Sequence, residues 1–344
     1  MIKRIEIKDF IQKIDNIPIV DVRSPKEYEF GHVVNALNIP LFDDDERAVV
    51  GTKYHKVNRE SAIMSGLEIV GPKMVDYVKQ AKKIAKNNEL MIYCWRGGMR
   101  SGSLAWLFDV AGINVSVLID GYKAYRKFVR DDFSKKAKVV ILGGMTGSGK
   151  SDILHVMQDA GSQVLDLEGF ANHKGSAFGS LGQDKQPSNE QFENNLFHIW
   201  KSFDLNKPVW IEGESASIGK VRVPETLFSQ MKNGKLVEIE IDKSIRIQRL
   251  VKEYASFDID DLKNIVLRIG KRLGGQNVQL ALDALDNKDF AKVADISLTY
   301  YDKAYNYSLE KNHSNIYNLK LQEDNPIENS KKIIEFAKKE GVIE

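Results

Sequence analysis

The 344-residue sequence has one cysteine, Cys94, and no long apolar run. A single cysteine excludes a disulfide within the chain and argues against a zinc site built on several cysteines. A membrane span is not expected, because it would need about 18 consecutive apolar residues. Charged and apolar residues alternate at the N-terminus, so we expect no secretory leader. The sequence therefore predicts a cytoplasmic protein with no membrane partner.

The chain also has little net charge, no internal repeat and no low-complexity segment. A formal charge of +2 does not by itself indicate a nucleic-acid partner, although a local basic patch would be enough to bind one. The hydrophobic fraction of 42% and the charged fraction of 28% are typical of globular proteins with buried cores. A chain of this length suggests two or three domains.

Strands and helices alternate along most of the chain, which predicts an α/β fold with parallel sheets and flanking helices. The predicted strands of the first part are 17–22, 89–93 and 115–119, and its predicted helices are 25–30, 73–86 and 101–110. Further strands are predicted at 138–142, 164–167, 209–212 and 236–241. From about Ser244 onward the sequence is largely helical.

The mostly basic segment 122–138 interrupts the alternation, and we place a domain boundary near 131–137. The predicted domains are 1–133 and 134–344. The basic segment is interpreted either as a solvated helix with a linker or as a surface that contacts an RNA backbone.

Cys94 follows a predicted strand and precedes two glycines and a helix, in the segment YCWRGGMRS at 93–101. Such a loop can direct backbone N–H groups at an anion, and the helix N-terminus adds partial positive charge. Arg96 and Arg100 add full charges, which favours the thiolate form and predicts a catalytic nucleophile. The alternative is a buried structural cysteine beside a turn.

Upstream, residues 21–40 read DVRSPKEYEFGHVVNALNIP, which closely resembles the signature of the rhodanese superfamily. The resemblance implies a rhodanese-like fold for the first domain, with Asp21, Arg23, Glu27 and His32 as scaffold residues. Cys94 and Arg100 are six positions apart, whereas common sulfurtransferase loops have five. The wider spacing is similar to that of rhodanese-related phosphatases, so a phosphatase competes with chalcogen transfer for this domain.

The second domain begins with GGMTGSGKS at 143–151, a P-loop that follows an apolar strand and precedes a helical stretch. Lys150 is expected to reach terminal phosphate oxygens, and the Ser151 hydroxyl could ligate Mg²⁺. The backbone N–H groups would wrap a phosphate, which gives the predicted phosphate-binding residues as Gly144, Thr146, Gly147, Ser148, Gly149, Lys150 and Ser151. The motif predicts phosphate binding but not nucleotide hydrolysis.

Carboxylates and a polar loop follow two later strands. Glu212 and Glu214 end an apolar strand and are candidate metal ligands or bases, with capping as the alternative. The segment 166–179 contains His173 and Lys174, which could bind phosphate or RNA, because substrate loops lie at strand ends in open α/β sheets. The alternative is an ordinary polar loop. No dedicated metal site is predicted.

Together, the two domains resemble bacterial tRNA 2-selenouridine synthases over essentially the whole chain. The most specific blocks are YCWRGGMRS at 93–101, GGMTGSGKS at 143–151, DLEGFANHKGSAFG at 166–179 and IEGESASIGKVRVP at 211–224. The resemblance implies a transferase that acts on wobble-position 2-thiouridine of tRNA. It implies selenophosphate, made by a separate synthetase, and geranyl diphosphate as co-substrates, with S-geranyl-2-thiouridine as an intermediate.

On this basis the geranyl diphosphate head suits the P-loop, and the Cys94 loop would accept or position selenium. Basic residues are candidates for tRNA contact: Arg126, Lys127, Arg130, Arg246, Arg249, Arg268, Lys271 and Arg272. Two competing functions stay open. One is a rhodanese-type phosphatase fused to a small-molecule kinase, and the other is a regulatory module gated by the P-loop.

Overall fold

A computed structural model describes residues 2–312 and 315–344. The chain divides into two compact units. The first runs to Asp132 and also includes the segment Glu193–His198. The second comprises Phe133–Phe192 and Ile199–Glu344.

The first unit is a five-stranded parallel sheet with helices around it. Its elements in chain order are β1 (Lys3–Ile5), α1 (Ile7–Lys13), β2 (Ile19–Asp21), α2 (Pro25–Phe30), β3 (Leu37–Asn38), α3 (Asp44–Lys56), α4 (Arg59–Val70), α5 (Met74–Ile84), β4 (Glu89–Tyr93), α6 (Met99–Val110), β5 (Asn114–Leu118) and α7 (Gly121–Asp132). The strand order is β1-β5-β4-β2-β3. Strand β4, which leads into the cysteine loop, is therefore central and buried after its first residue.

Local signals fix the ends of several helices in this unit. Helix α2 has Pro25 at its first turn and a capping box between Ser24 and Glu27. Helix α3 has the same device between Asp43 and Glu46. The sequence reasoning did not predict α3 and α4, since neither has a strong apolar stripe and α3 has no buried residue.

Helix α7 is the predicted basic segment, and one of its faces is buried. Tyr122, Tyr125 and Val129 are buried, so the helix belongs to the core and is not a solvated linker. Arg126 is also buried, donates to Asn194 Oδ1 at 2.5 Å and pairs with Glu193. The prediction that Arg126 contacts RNA is therefore wrong, because its guanidinium is committed within the fold.

The second unit has a second five-stranded parallel sheet. Its elements are β6 (Lys138–Gly144), α8 (Lys150–Asp159), β7 (Gln163–Leu165), α9 (Leu167–Ala171), α10 (Asn189–Trp200), β8 (Pro208–Glu212), β9 (Ser217–Ile218), β10 (Val221–Arg222), α11 (Glu225–Asn233), β11 (Lys235–Glu240), α12 (Lys243–Tyr254), α13 (Ile259–Arg268), α14 (Gly270–Leu273), α15 (Gly275–Asp286), α16 (Phe290–Asn312), β12 (Ile316–Lys320) and α17 (Pro326–Lys339). Residues 193–198 of α10 belong to the first unit. The sheet order is β12-β11-β6-β8-β7, and β9 and β10 form a separate antiparallel pair.

The C-terminal part is helical from α12 to α16, as predicted, but the chain then adds strand β12 and helix α17. Strand β12 pairs in parallel with β11 at the edge of the sheet. The strand was missed because it is only half buried, so it lacks the apolar run of an interior strand. None of the described helices is long and apolar enough to cross a membrane.

Candidate functional site

Cys94 lies directly after the central strand β4 and is only 3% exposed. Its Sγ accepts a hydrogen bond from the Ser101 hydroxyl at 3.2 Å. Ser101 lies in the first turn of α6, so the helix that follows the loop also supplies the nearest polar partner of the thiol. The helix that follows the loop thus holds the sulfur in place through a hydroxyl donor.

In the loop after Cys94, the first two backbone carbonyls accept hydrogen bonds, whereas the backbone N–H groups donate none to described residues. The carbonyls of Cys94 and Trp95 accept from the N–H groups of Tyr122 and Lys123, at 2.8 and 3.1 Å. In contrast, no backbone N–H from 95 to 101 donates a hydrogen bond to any residue that the structure describes. A run of unused N–H groups at a helix N-terminus is the arrangement that binds oxyanions.

A glycine at position 121 makes this loop possible. A Cβ at Gly121 would lie 2.2 Å from the Cys94 carbonyl oxygen, and the residue has φ +54°. Only glycine satisfies both conditions, since a side chain would displace the loop and the left-handed backbone would strain it. The sequence reasoning missed Gly121, whose signal is a glycine immediately before the predicted basic helix.

The two candidate arginines of the loop have different surroundings. Arg100 is bonded to Glu27 through Nη1 at 2.5 Å and Nη2 at 3.2 Å. Burial alone would raise the pKa of Glu27, but the bonds from Arg100 outweigh it and lower that pKa. Arg96 is exposed and makes no ion pair with the described residues. Arg96 therefore holds the uncompensated positive charge of the loop, whereas the charge of Arg100 is shared with a scaffold carboxylate.

A third arginine, Arg23, lies next to the loop. Arg23 is buried, is held by Asp21 at 2.6 Å, and donates to the Gly31 carbonyl at 2.6 Å. Its guanidinium lies 3.9 Å from the ring centroid of Tyr122 and 5.9 Å from that of Trp95. Trp95 is 38% exposed, so one part of the indole rests on this platform while the rest remains available for contact.

The P-loop resembles the Cys94 loop: two of its backbone carbonyls accept hydrogen bonds, and most of its backbone N–H groups donate none to the residues that the structure describes. The Gly144 carbonyl accepts from Lys150 Nζ at 2.8 Å, and the Thr146 carbonyl accepts from Arg246 at 3.2 Å. Within the described chain, the N–H groups of 145–147 and 149–152 donate no hydrogen bonds. Gly147 and Gly149 have φ near +80°, which a wrapping loop requires. All seven predicted phosphate-binding residues line one cavity of 730 Å³.

Two glycines at the end of β6 lie near the buried carboxylate of Glu238, Gly143 directly and Gly144 through the Tyr305 hydroxyl. A Cβ at Gly143 would lie 2.1 Å from Glu238 Oε2, so the first glycine leaves room for that side chain. The N–H of Gly144 donates to the Tyr305 hydroxyl at 2.8 Å, which in turn donates to Glu238 at 2.6 Å. Burial raises the pKa of Glu238 to about 7. Tyr305 from α16 thus fixes the start of the P-loop.

The candidate carboxylates Glu212 and Glu214 form a cluster with Glu168. Glu168 accepts from the Ser151 hydroxyl at 2.8 Å, and its N–H donates to Glu212 at 2.7 Å. Burial, together with Asp166 and Glu168, holds the pKa of Glu212 well above its usual range. Burial and Glu168 raise the pKa of Glu214 to about 8. Sequence reasoning had not singled out Glu168, which connects the cluster to the P-loop.

The two basic candidates of the segment 166–179 are separated by the structure. Lys174 lines the P-loop cavity and pairs with Glu253. His173 is not part of that lining, and burial lowers its pKa, so the neutral imidazole is favoured. Its Nδ1 is buried without a hydrogen-bond partner in the described chain. Only Lys174 is therefore placed to meet a ligand of this cavity.

The surroundings of Ser151 suit a hard cation such as Mg²⁺. A hydroxyl and carboxylates are the oxygen ligands that Mg²⁺ prefers, and a cation would favour the charged form of Glu214, whose pKa is raised first by burial and then by repulsion from Glu168. Among the described residues, no three acidic, His or Cys side chains are grouped closely enough to hold a metal ion. Ser151, with Glu168 and Glu214, would therefore hold Mg²⁺ only together with phosphate oxygens.

Two further arginines predicted to contact RNA form ion pairs within the fold. Arg246 is 4% exposed and forms a bidentate pair with Asp302 at 2.8 Å. Arg249 bridges Asp152 and Asp324 beside Gly149. Both guanidinium groups support the P-loop from α12. The prediction for Arg246 is wrong because the side chain is buried, whereas Arg249 is half-buried and lines the P-loop cavity, so its contact with tRNA stays a prediction. The predicted contacts that remain exposed are Lys127, Arg130, Arg268, Lys271 and Arg272.

Both halves of the chain match known families. Residues 137–332 match the family model described as the tRNA 2-selenouridine synthase AAA domain, and residues 6–128 match the rhodanese-like domain. The P-loop unit and the cysteine-loop unit thus each have a recognised counterpart.

Relatives named tRNA 2-selenouridine synthase match most of the chain. The one from Shewanella frigidimarina is 33% identical and covers 88% of this chain and 91% of its own. The one from Hydrogenovibrio crunogenus is 35% identical and covers 88% and 92%. A solved N-terminal domain from Clostridium difficile 630, from a protein described as ATP/GTP-binding, is 44% identical over 37% of this chain and 98% of its own, with a TM-score of 0.35. This chain therefore belongs to the tRNA 2-selenouridine synthase family.

Proposed function

We propose that the chain is a transferase that replaces sulfur by selenium in wobble-position 2-thiouridine of tRNA. The names of its relatives support synthesis of 2-selenouridine in tRNA, and the proposal adds the wobble 2-thiouridine, selenophosphate and geranyl diphosphate. The observation that carries the proposal is the pair of loops with unused N–H groups, one after Cys94 and one before Lys150. Each loop suits a phosphate-bearing donor.

The P-loop is assigned to geranyl diphosphate. In this step the sulfur of 2-thiouridine forms a bond to the first carbon of the geranyl group, the carbon–oxygen bond breaks, pyrophosphate leaves and the base loses its N3 proton. Lys150 and the N–H groups of the loop would stabilise the negative charge that develops on the departing pyrophosphate. Mg²⁺, where bound, would supply further positive charge there.

The Cys94 loop is assigned to the selenium step. The selenium of selenophosphate forms a bond to C2 of the base as geranylthiol leaves, and water then releases phosphate to give 2-selenouridine. The unused N–H groups 95–101 suit the tetrahedral phosphate, and Arg96 offers an uncompensated charge beside it. A separate selenophosphate synthetase would supply the donor.

Binding of tRNA would use the exposed basic residues. Lys127 and Arg130 lie on the first unit, and Arg268, Lys271 and Arg272 lie on the second. If several of them contact phosphates, log affinity falls linearly with log salt concentration. Trp95 is partly exposed beside Cys94 and could stack on a base.

The test is to incubate the protein with 2-thiouridine-containing tRNA and geranyl diphosphate, with and without selenophosphate, and to weigh the nucleosides after digestion. We expect a geranylated nucleoside without selenophosphate and a selenium-containing one with it. Unchanged 2-thiouridine in both reactions, with folded protein, contradicts the proposal. Phosphate release from an aryl phosphate together with ATP turnover would instead support the phosphatase–kinase alternative.

A further inference from the structure

A second, smaller cavity of 50 Å³ adjoins the P-loop cavity. The two cavities share part of their lining, namely Thr146, Ser176, Leu250, Tyr254 and Tyr301. Thr146 belongs to the P-loop itself, so the smaller cavity reaches the phosphate-binding loop. All of its lining belongs to the second unit.

The smaller cavity is lined by the apolar core of the helical part. Its remaining walls come from α13, α15 and α16 and from the loop before α10, and they include Phe178, Leu262, Leu285, Val293 and Ala294. The described residues that line it include no charged side chain and no side-chain amide. Its polar groups are hydroxyls, such as those of Thr146 and Ser297. Water in such a place makes few hydrogen bonds, so an alkyl group would displace it at little cost.

We infer that this cavity receives the far end of the alkyl chain of a prenyl diphosphate whose head is held by the P-loop. The inference rests on the proposed function and adds the subsite that selects the alkyl group. The volume of 50 Å³ admits only a small part of such a chain, so the rest lies in the larger cavity along Leu250, Tyr254 and Tyr301.

A nucleoside base is a poorer occupant of the same cavity. A site that reads a base uses hydrogen bonds to its edge, and a buried base edge without partners is costly. The lining offers no amide or carboxylate for this purpose among the described residues. The alkyl chain, by contrast, gains from every methylene that it buries.

The sharpest test is a matched pair of substitutions on α16. Ala294 is buried and lines the cavity, whereas Ala291, one turn earlier on the same helix, is exposed. Ala294→Leu fills the cavity, and Ala291→Leu adds the same atoms to the surface. Binding of geranyl diphosphate and of inorganic pyrophosphate is measured by calorimetry for both variants and for the wild type.

We expect Ala294→Leu to weaken geranyl diphosphate binding about tenfold while pyrophosphate binding stays unchanged, because only the tail loses its place. Ala291→Leu should change neither affinity. Dimethylallyl diphosphate, shorter by one isoprene unit, should bind to the Ala294→Leu variant as it binds to the wild type. If Ala294→Leu raises the melting temperature and leaves the ratio of geranyl diphosphate affinity to pyrophosphate affinity unchanged, the cavity is a packing void and the inference is overturned.

Val293→Ala is the second variant, in case Ala294→Leu does not fold. It enlarges the cavity, and we expect it to improve binding of farnesyl diphosphate relative to geranyl diphosphate. No change in this preference would overturn the inference. So would a loss of ATP affinity in Ala294→Leu that exceeds the loss for geranyl diphosphate, since it would assign the cavity to a nucleoside.

These outcomes are independent of the tRNA reaction. If the variants shift prenyl diphosphate binding but the wild type does not modify tRNA, the subsite stands and the proposed function fails. If tRNA is geranylated and the variants show the wild-type chain-length preference, the proposed function stands and the subsite fails.

Discussion

The Cys94 loop and the P-loop both offer backbone N–H groups to an anion, but the charged side chains around them differ. Both follow a central strand of a five-stranded parallel sheet, precede a helix and leave a run of backbone N–H groups unused. Among the described residues, the Cys94 loop has one unpaired charge, Arg96, since the buried Arg23 is paired with Asp21, whereas the P-loop lies beside buried carboxylates such as Glu212. An unpaired positive charge suits an anion that arrives alone. Carboxylate oxygens suit an anion that arrives with a cation.

The largest expected effect comes from removing the thiol. Cys94→Ser should reduce selenium incorporation by more than about a hundredfold, because the donor loses the group that positions its selenium beside the base. Geranyl transfer should remain within about twofold of the wild type, because alkylation by a diphosphate needs no thiolate. Both products are measured by mass spectrometry of digested tRNA. Selenation at the normal rate would contradict the assignment of Cys94.

Removing the P-loop lysine should give the opposite pattern. Lys150→Ala should slow geranyl transfer about a hundredfold, because a preorganised positive charge on the leaving group is lost. Selenation of tRNA that already carries the geranyl group should continue. Lys138→Ala, at the exposed start of β6, the strand that precedes the P-loop, is the control and should leave both rates intact. Equal loss of both activities in Lys150→Ala would contradict the assignment of geranyl transfer to the P-loop and of selenation to the Cys94 loop.

The Glu27–Arg100 pair should produce a pH-dependent difference in stability. The pKa of Glu27 is lowered in the folded protein, so its contribution is present above the unfolded pKa of about 4.5 and is lost as the pH falls through the folded value. Glu27→Gln should therefore lower the melting temperature at pH 7 on the order of 3 °C, with the difference shrinking toward pH 3. Glu29→Gln, an exposed change on the same helix, is the control. A difference that does not depend on pH would mean that the pair adds no charge-based stability.

The smallest effect is expected beneath the P-loop. The pKa of Glu238 is raised to about 7 by burial, so the folded protein keeps a proton that the unfolded chain releases above about pH 4.5. Stability contributed by this group is complete below about pH 4.5 and is lost as the pH rises through 7. Glu238→Gln should flatten this decline by on the order of 1 °C in melting temperature. Glu240→Gln, exposed on the same strand, should not, and an identical decline in both variants would refute the role of Glu238.

The sequence predicted the α/β architecture and the strand–loop–helix order around both loops, because glycine spacing and apolar runs are local signals. Strand β4 was predicted with its observed bounds, and the helix after Cys94 began only two residues earlier than predicted. The P-loop residues were found from the motif alone. Such features depend on residues that are neighbours in the chain.

The sequence could not predict which residues far apart in the chain form ion pairs or hydrogen bonds with each other. Arg126, Arg246 and Arg249 are basic residues on helices, and nothing local distinguishes them from exposed ones. Glu168 is 17 positions from Ser151 and 44 from Glu212, yet the fold brings the three together. The smaller cavity depends on residues from several helices and has no motif at all.

Because Cys94 is the single cysteine of the sequence, thiol chemistry can report on the state of its loop. Any thiol-specific reagent, isotope or fluorine tag attached to this chain is attached at Cys94, with no background from a second position. Because the sulfur is buried, the labelling rate measures how often the loop opens, and a donor held by the loop should slow it. The occupancy of one reaction centre can thus be followed in real time without touching the other.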